Sequence, residues 1–431
     1  MTNEPVHGSG AQPGAYGVLS ALSRSLPALE ALYKDLHAHP ELALQETRTA
    51  DIVAAQLTAA GYEVATGVGR TGVVGMLRNG AGPTVMLRAD MDALPVREAT
   101  GLPYASVATG TDRDGRVVPL MHACGHDMHV AWLIGAARLL ADARAAWSGT
   151  LMLVFQPAEE TGEGARAMID DGLFDRFARP DVVLGQHVMT APAGTLGSRE
   201  GVITSAGDSL EIRMFGRGAH GSMPQASVDP VVMAAATVLR LQTVVSREIG
   251  AAEQAVVTVG ALQAGTKANV IPDDAVIKVN VRTYDAAVRE RVLTAIERIV
   301  NAESAASGAP RPPEIRSVGR FLPVENDGTA IARVGAAFRG HFGTERVVRA
   351  PPTTASEDFG LFGVAAEAPA VFWFVGGTDA DEYERAKRSG RPGELVTNHN
   401  PRFAPVIHPT LATGVEAMVV AALAWLGGAP T

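Results

Sequence analysis

The chain has a single cysteine among 431 residues, so no disulfide can form within it. A lone thiol suits a reducing compartment, and the expected location is the cytoplasm. Basic clusters are missing too. The net charge is −9 at pH 7 and no Lys/Arg run stands out, so nucleic acid is not an expected partner. Long apolar runs are also absent. The most hydrophobic helical stretch, residues 411–426, is too short to span a bilayer and carries Glu416, so no membrane association is expected. The first fourteen residues lack the basic start and apolar run of a signal peptide and read as disordered. With aromatic residues at 5%, composition points to no aromatic-lined pocket.

What is present is ample for a large core: 47% hydrophobic residues against 19% charged, in a chain long enough for two or three domains. Apolar residues recur at helical spacing over residues 18–36, with Pro27 as a possible break, and again over 45–60. Short β-rich runs follow at 73–77, 84–89, 150–155 and 182–186, with helical segments at 130–144 and 165–171 between them. That alternation predicts an α/β sheet covered on both faces. The pattern changes near Ala206. Strands at 209–215, 255–261, 275–283 and 314–323, with helices at 230–249 and 286–303, give a βαββαβ order, that of a ferredoxin-like unit. The α/β pattern then resumes, with a strand at 371–375 and a closing helix at 409–426. The expected division is one domain made of residues 15–206 and 324–431, interrupted by an inserted domain at 207–323.

Gly67-Val68-Gly69-Arg70-Thr71-Gly72 matches a dinucleotide fingerprint in letters only. That motif must open a helix, whereas a strand pattern follows, so a glycine-rich hairpin turn is expected.

The run Met121-His122-Ala123-Cys124-Gly125-His126-Asp127-Met128-His129 places the only cysteine in a nine-residue window with three histidines. Thiolate, imidazole and carboxylate together suit a divalent transition metal. The plain alternative is a buried thiol beside polar loop histidines. On a helix, Cys124 and His126 would diverge by roughly 200°, but in an extended turn they can face one ion. With the next helix expected from Val130, the cluster falls on the loop before it.

Glu159 and Glu160 follow an apolar strand stopped by Pro157, where α/β sheets place their sites. One carboxylate can hold metal while its neighbour moves a proton. His187 ends the next predicted strand, and His399 lies in the loop Asn398-His399-Asn400-Pro401. Cys124, His126, Glu160, His187 and His399 exceed what one tetrahedral zinc takes. Two ions sharing a thiolate, water or carboxylate fit better, with Glu159 taking a proton from the attacking water and delivering it to the leaving group.

In these motifs the chain resembles the M20 family of metallopeptidases and amidohydrolases, in the branch of hippurate hydrolases, N-acyl-amino-acid amidohydrolases and plant auxin-conjugate hydrolases. The likeness runs from about residue 30. It rests on Leu36-His37-Ala38-His39-Pro40-Glu41-Leu42, Arg88-Ala89-Asp90-Met91-Asp92-Ala93-Leu94-Pro95, the His/Cys cluster and Phe155 to Glu160. His220-Gly221-Ser222, Asn269-Val270-Ile271-Pro272, Ser356-Glu357-Asp358-Phe359 and His399-Asn400-Pro401 complete it. The resemblance implies a zinc-peptidase-like α/β domain with a mixed sheet and an inserted α+β lid that also dimerises. It implies the five metal ligands above and Glu159 as general base. Asp90 stands where other branches carry a histidine ligand, and Asp92 is expected to orient a ligand rather than bind metal. His37 and His39 are expected to pack. His220 is expected to stabilise an oxyanion, reaching the site across a homodimer. Asn269 and Arg282 are candidates for the substrate carboxylate.

The expected function is metal-dependent hydrolysis of N-acyl or N-aroyl amino acids. The expected cofactors are two divalent ions, zinc or manganese foremost, with cobalt or nickel also accepted by this donor set. Competing readings are a cysteine amidase with Cys124 as nucleophile and a non-catalytic metal-binding relative.

Overall fold

A computed structural model describes residues 13–427. The expected disorder over residues 1–12 lies outside that range, while Pro13 already opens a helix, Pro13–Leu19. The chain divides into two compact units. One runs to Ile203 and resumes over Glu325–Pro351 and from Asp358 onward; the other is Thr204–Val324 with Pro352–Glu357. That six-residue return to the second unit has no counterpart in the sequence-based division.

The first unit is built on an eight-stranded mixed sheet. Its centre is four parallel strands in the order Gly149–Gln156, Thr84–Asp90, Val182–Pro192 and Ala370–Thr378. These strands are almost wholly buried, as expected for parallel strands covered on both faces. Trp373 meets Phe338 at 5.1 Å between ring centres while its neighbour Phe372 meets Phe359 at 5.0 Å. Successive strand residues point to opposite faces, so both faces carry packed side chains. The helices Leu22–Ala38, His126–Asp142 and Ile407–Leu423 pack on one another beside this sheet.

Three local outcomes differ from the sequence reading, and one agrees with it. The helix Leu22–Ala38 runs through Pro27, with Leu22, Leu29, Tyr33 and Leu36 buried along it; the break comes earlier, after Leu19. The helix expected from Val130 begins at His126, so half of the His/Cys cluster is helical. The strand expected to end at Gln186 continues to Pro192, because Ala370–Thr378 pairs with it as far as Thr378 opposite Pro192. His187 is therefore within a strand. The Gly67–Gly72 segment is the expected hairpin turn, joining the antiparallel strands Glu63–Val68 and Gly72–Asn79.

The second unit is a four-stranded antiparallel sheet ordered Ala255–Ala264, Asp274–Thr283, Ala206–Phe215, Glu314–Phe321. Numbered along the chain this is 2-3-1-4, the order of a ferredoxin-like sheet. Helices Pro230–Thr243 and Ala286–Ala306 start at Asp229 and Asp285, whose carboxylates accept the first free backbone N–H groups. The first of them ends in a π-helical turn, Val244–Glu248, rather than running as α-helix to Ile249. Each unit has its own apolar core. Among the described residues, no helix is long and apolar enough to cross a membrane.

Candidate metal centre

The register of the parallel strands lines up the site. Asp90 pairs with Gln156, His187 pairs with Phe374, and Arg88, two residues before Asp90, pairs with Gly185. Asp90, Gln156 and His187 thus share one row near the C-terminal ends of their strands, the usual place for α/β sites.

Cys124 sits two residues before the first residue of the helix His126–Asp142. Gly125 between them has φ +83°, and a Cβ there would meet Val188 Cγ1 at 2.5 Å. Only glycine takes that left-handed bend against Val188 without strain. The bend turns Cys124 and His126 toward common space. On the neighbouring strand, Pro157 ends the pairing and Ala158 adopts φ +50°. Its N–H is held by Glu46 Oε1 at 2.8 Å, and Gly164 passes so close to the Pro157 carbonyl that a Cβ would lie 1.5 Å from that oxygen. Glu159 and Glu160 follow this turn, their backbone N–H groups each donating to the Asp92 carboxylate at 3.1 Å.

The five candidate ligands converge. Ligand atoms of Cys124, His126 and His187 lie within 4.8 Å of one another, and so do those of Cys124, Glu160 and His399. Cys124 belongs to both trios. Its Sγ is 3.4 Å from His187 Nε2, while His399 Nε2 is 3.2 Å from Glu160 Oε1. His126 Nε2 stands 3.9 Å from Glu159 Oε2 and 4.0 Å from Glu160 Oε1. Those gaps are too long for hydrogen bonds. An ion about 2.0–2.3 Å from each donor spaces its ligand atoms by roughly 3–4 Å, so the donors fit metal.

Two of the three rings have Nδ1 engaged and Nε2 turned to the cluster. His126 Nδ1 faces the Asp92 carbonyl at 2.8 Å and the Asp92 carboxylate at 3.2 Å. Its buried Nε2 then has no hydrogen-bond partner, a costly state for a polar atom unless an ion takes it. His187 Nδ1 donates to the Val188 carbonyl at 2.7 Å, leaving Nε2 toward the sulfur.

His129 is different. Its Nδ1 is 2.5 Å from Asp90 Oδ1 and its Nε2 accepts the Val188 N–H at 2.9 Å, so both nitrogens are engaged. Asp90 is likewise occupied, by His129 and by Arg88 Nη1 at 2.6 Å. Both belong to the support of the site. His37 is buried between Asp127 at 2.6 Å and Glu98 at 3.1 Å, while exposed His39 faces the Asp35 carbonyl at 2.7 Å and its carboxylate at 3.4 Å.

The electrostatics call for a cation. Burial pushes the Cys124 thiol well above its ordinary range, and the charges of Glu160 and Glu159 push it further. A cysteine nucleophile needs the opposite field, so these surroundings do not favour the cysteine-amidase reading. Burial, then the charge of His129, holds His187 well below the usual imidazole range, which keeps Nε2 neutral and able to bind metal.

The second unit holds the other three candidates. His220 is exposed, with Nδ1 2.7 Å from Ser222 Oγ, on a short strand paired with Val270. Asn269 directly precedes the strand Val270–Ile271 that pairs there, its carbonyl accepting the Gly221 N–H at 2.8 Å. Arg282 lies elsewhere, on the strand Asp274–Thr283; its Nε donates to Asn280 Oδ1 at 2.8 Å and Nη1 to Ser356 Oγ. The sequence reading did not single out Glu46 or Asn398, which hold the ligand-bearing turns.

Comparison with known proteins identifies the family. Residues 86–423 match the model of peptidase family M20/M25/M40. An N-acetylcysteine deacetylase of Bacillus subtilis (strain 168) is 36% identical over 355 residues, 81% of this chain and 88% of the relative. A hippurate hydrolase of Campylobacter jejuni is 39% identical over 340 residues, 77% of this chain and 84% of the relative. The crystal structure of Bacillus subtilis YXEP, described as a dinuclear metal binding peptidase from the M20 family, superposes with a TM-score of 0.73 at 30% identity, covering 93% of this chain and 98% of that one. With most of its length matched, this chain belongs to peptidase family M20/M25/M40 and is a hydrolase.

Proposed function

We propose that the protein is a binuclear amidohydrolase that cleaves N-acyl or N-aroyl amino acids into a carboxylic acid and a free amino acid. The observation that carries this reading is the pair of donor trios sharing Cys124. A metal centre of two divalent ions, when bound, acidifies a water and polarises the amide carbonyl. Cys124, His126, Glu160, His187 and His399 hold it. Thiolate, imidazole and carboxylate together accept zinc or manganese, and also cobalt or nickel.

Glu159 is the general base. It takes one proton from the attacking water as the C–O bond forms, then gives it to the amide nitrogen as the C–N bond breaks. His220 stabilises the tetrahedral oxyanion, supplied from a second copy of the chain in a homodimer. Exposed Val232 and Leu239 on the helix Pro230–Thr243 support such pairing through the second unit. Arg282 and Asn269 bind the substrate carboxylate. For Arg282 the support is its company: Asn280 and Ser356 are neutral, and among the described residues no carboxylate pairs with it. Burial lowers its pKa, so an incoming anion relieves the cost of the half-buried charge. A cytoplasmic location fits the lone thiol.

The test is amino-acid release from acetyl, long-chain acyl, benzoyl and indoleacetyl amino acids. It is run on metal-stripped protein with and without Mn²⁺ or Zn²⁺. Release that requires metal supports the reading and ranks the acyl groups; equal release without metal refutes it.

A further inference from the structure

We propose that Asn398 is a positioning residue of the metal centre, clipping together the three segments that carry Cys124, His187 and His399. The inference rests on the reading of those side chains as ligands. The Asn398 amide nitrogen lies 3.2 Å from the Cys124 carbonyl and 3.1 Å from the Val188 carbonyl. Both partners are acceptors, so the NH₂ end of the amide must face them, each of its two protons serving one carbonyl. The same nitrogen is 3.8 Å from Cys124 Sγ, so the N–H that serves the Cys124 carbonyl can be shared with the sulfur.

The Val188 carbonyl is shared. It also accepts Nδ1–H of His187 at 2.7 Å, the bond that leaves His187 Nε2 facing the sulfur. Asn398 therefore fixes the group that sets the tautomer and aim of one ligand, while it bonds the backbone of a second. It also immediately precedes the third.

His399 needs that help. Its side chain is 54% exposed, so packing holds the ring only weakly, and its backbone has φ +68°, which a non-glycine residue adopts at a cost. Three bonds help keep the loop there: the His399 N–H to the Ala123 carbonyl at 2.7 Å, and the Asn398 side chain to the Cys124 and Val188 carbonyls. Asparagine alone meets the requirement at this length. Aspartate has the shape without donors, and alanine has neither.

The experiment measures the Mn²⁺ and Zn²⁺ dissociation constants by chelator competition, for wild type, Asn398→Ala and Asn398→Asp. The melting temperature of each is read with and without metal. A positioning role predicts a dissociation constant raised about 10–100-fold in both variants, with stoichiometry at saturation unchanged. It also predicts a smaller metal-induced rise in Tm, while the metal-free Tm stays close to wild type. Dissociation constants within about twofold of wild type in both variants overturn the inference alone. So does a loss of Tm as large without metal as with it, the mark of a general structural role. Failure of the wild type to bind either ion overturns the ligand reading and this inference with it.

Discussion

Asp92 orients His126 and Glu160 with one carboxylate: Oδ1 is 3.2 Å from His126 Nδ1, and Oδ2 accepts the Glu160 N–H at 3.1 Å. Two candidate ligands 34 residues apart in the chain are thereby tied to one rigid group. Oδ1 also accepts the Glu159 N–H, so the proposed base is tied to it as well.

Replacing Asp92 with asparagine puts an NH₂ group where an acceptor must face a backbone N–H. The expected result is metal affinity weakened about 10–100-fold, measured by chelator competition, with activity recoverable at high metal concentration.

Glu159→Gln keeps shape and removes the proton carrier. Turnover should fall by about 10²–10⁴-fold while metal content, measured by mass spectrometry, stays at the wild-type level. A non-catalytic metal-binding relative has no turnover to lose.

Arg282→Ala should raise KM for N-acyl amino acids by one to two orders of magnitude, about 1.4 kcal/mol per tenfold, with a smaller change in kcat. The corresponding amino-acid amides, lacking the carboxylate, should show little dependence on Arg282. Steady-state kinetics on the paired substrates measures the difference.

His37 gives a pH-dependent signature in stability. Burial alone would lower its pKa, but the hydrogen bond and charge of Asp127, then those of Glu98, overcome this and raise it to about 10. The folded state therefore binds a proton that the unfolded chain releases near its ordinary pKa of about 6.5. The stabilisation is complete below pH ~6.5 and is lost as pH rises through about 10. The stability gap between wild type and His37→Gln, from urea unfolding, should be on the order of 3–5 kcal/mol at pH 6 and shrink steadily above pH 7.

The sequence carried the α/β class and the ferredoxin-like order because burial on both faces and βαββαβ succession leave periodic traces. It also offered Cys124, His126, Glu160, His187 and His399 as candidate ligands, and the fold brings their donor atoms together, although His187 lies within a strand rather than at its end. The start of the helix at His126 was not legible: Gly125 adopts a left-handed bend and offers no side-chain cap, so no capping signal marks it. The return of Pro352–Glu357 to the second unit was hidden for a related reason, six residues being too few to carry a period. The engagement of His129 by Asp90 and Val188 depends on strand register and exists only once the sheet forms. Asn398 is the same case, since its partners are carbonyls more than two hundred residues earlier.

Two ions bound here would be held by donor sets that have Cys124 in common, one with His126 and His187 and the other with Glu160 and His399. Titrating metal-stripped protein with Mn²⁺ or Zn²⁺ and counting tightly bound ions tests it most directly, in wild type, His187→Ala, His399→Ala and Cys124→Ala. The geometry predicts about two ions per chain in wild type, about one in each histidine variant, and both weakened by Cys124→Ala. A single ion in wild type, or two ions undisturbed by loss of Cys124, would contradict it.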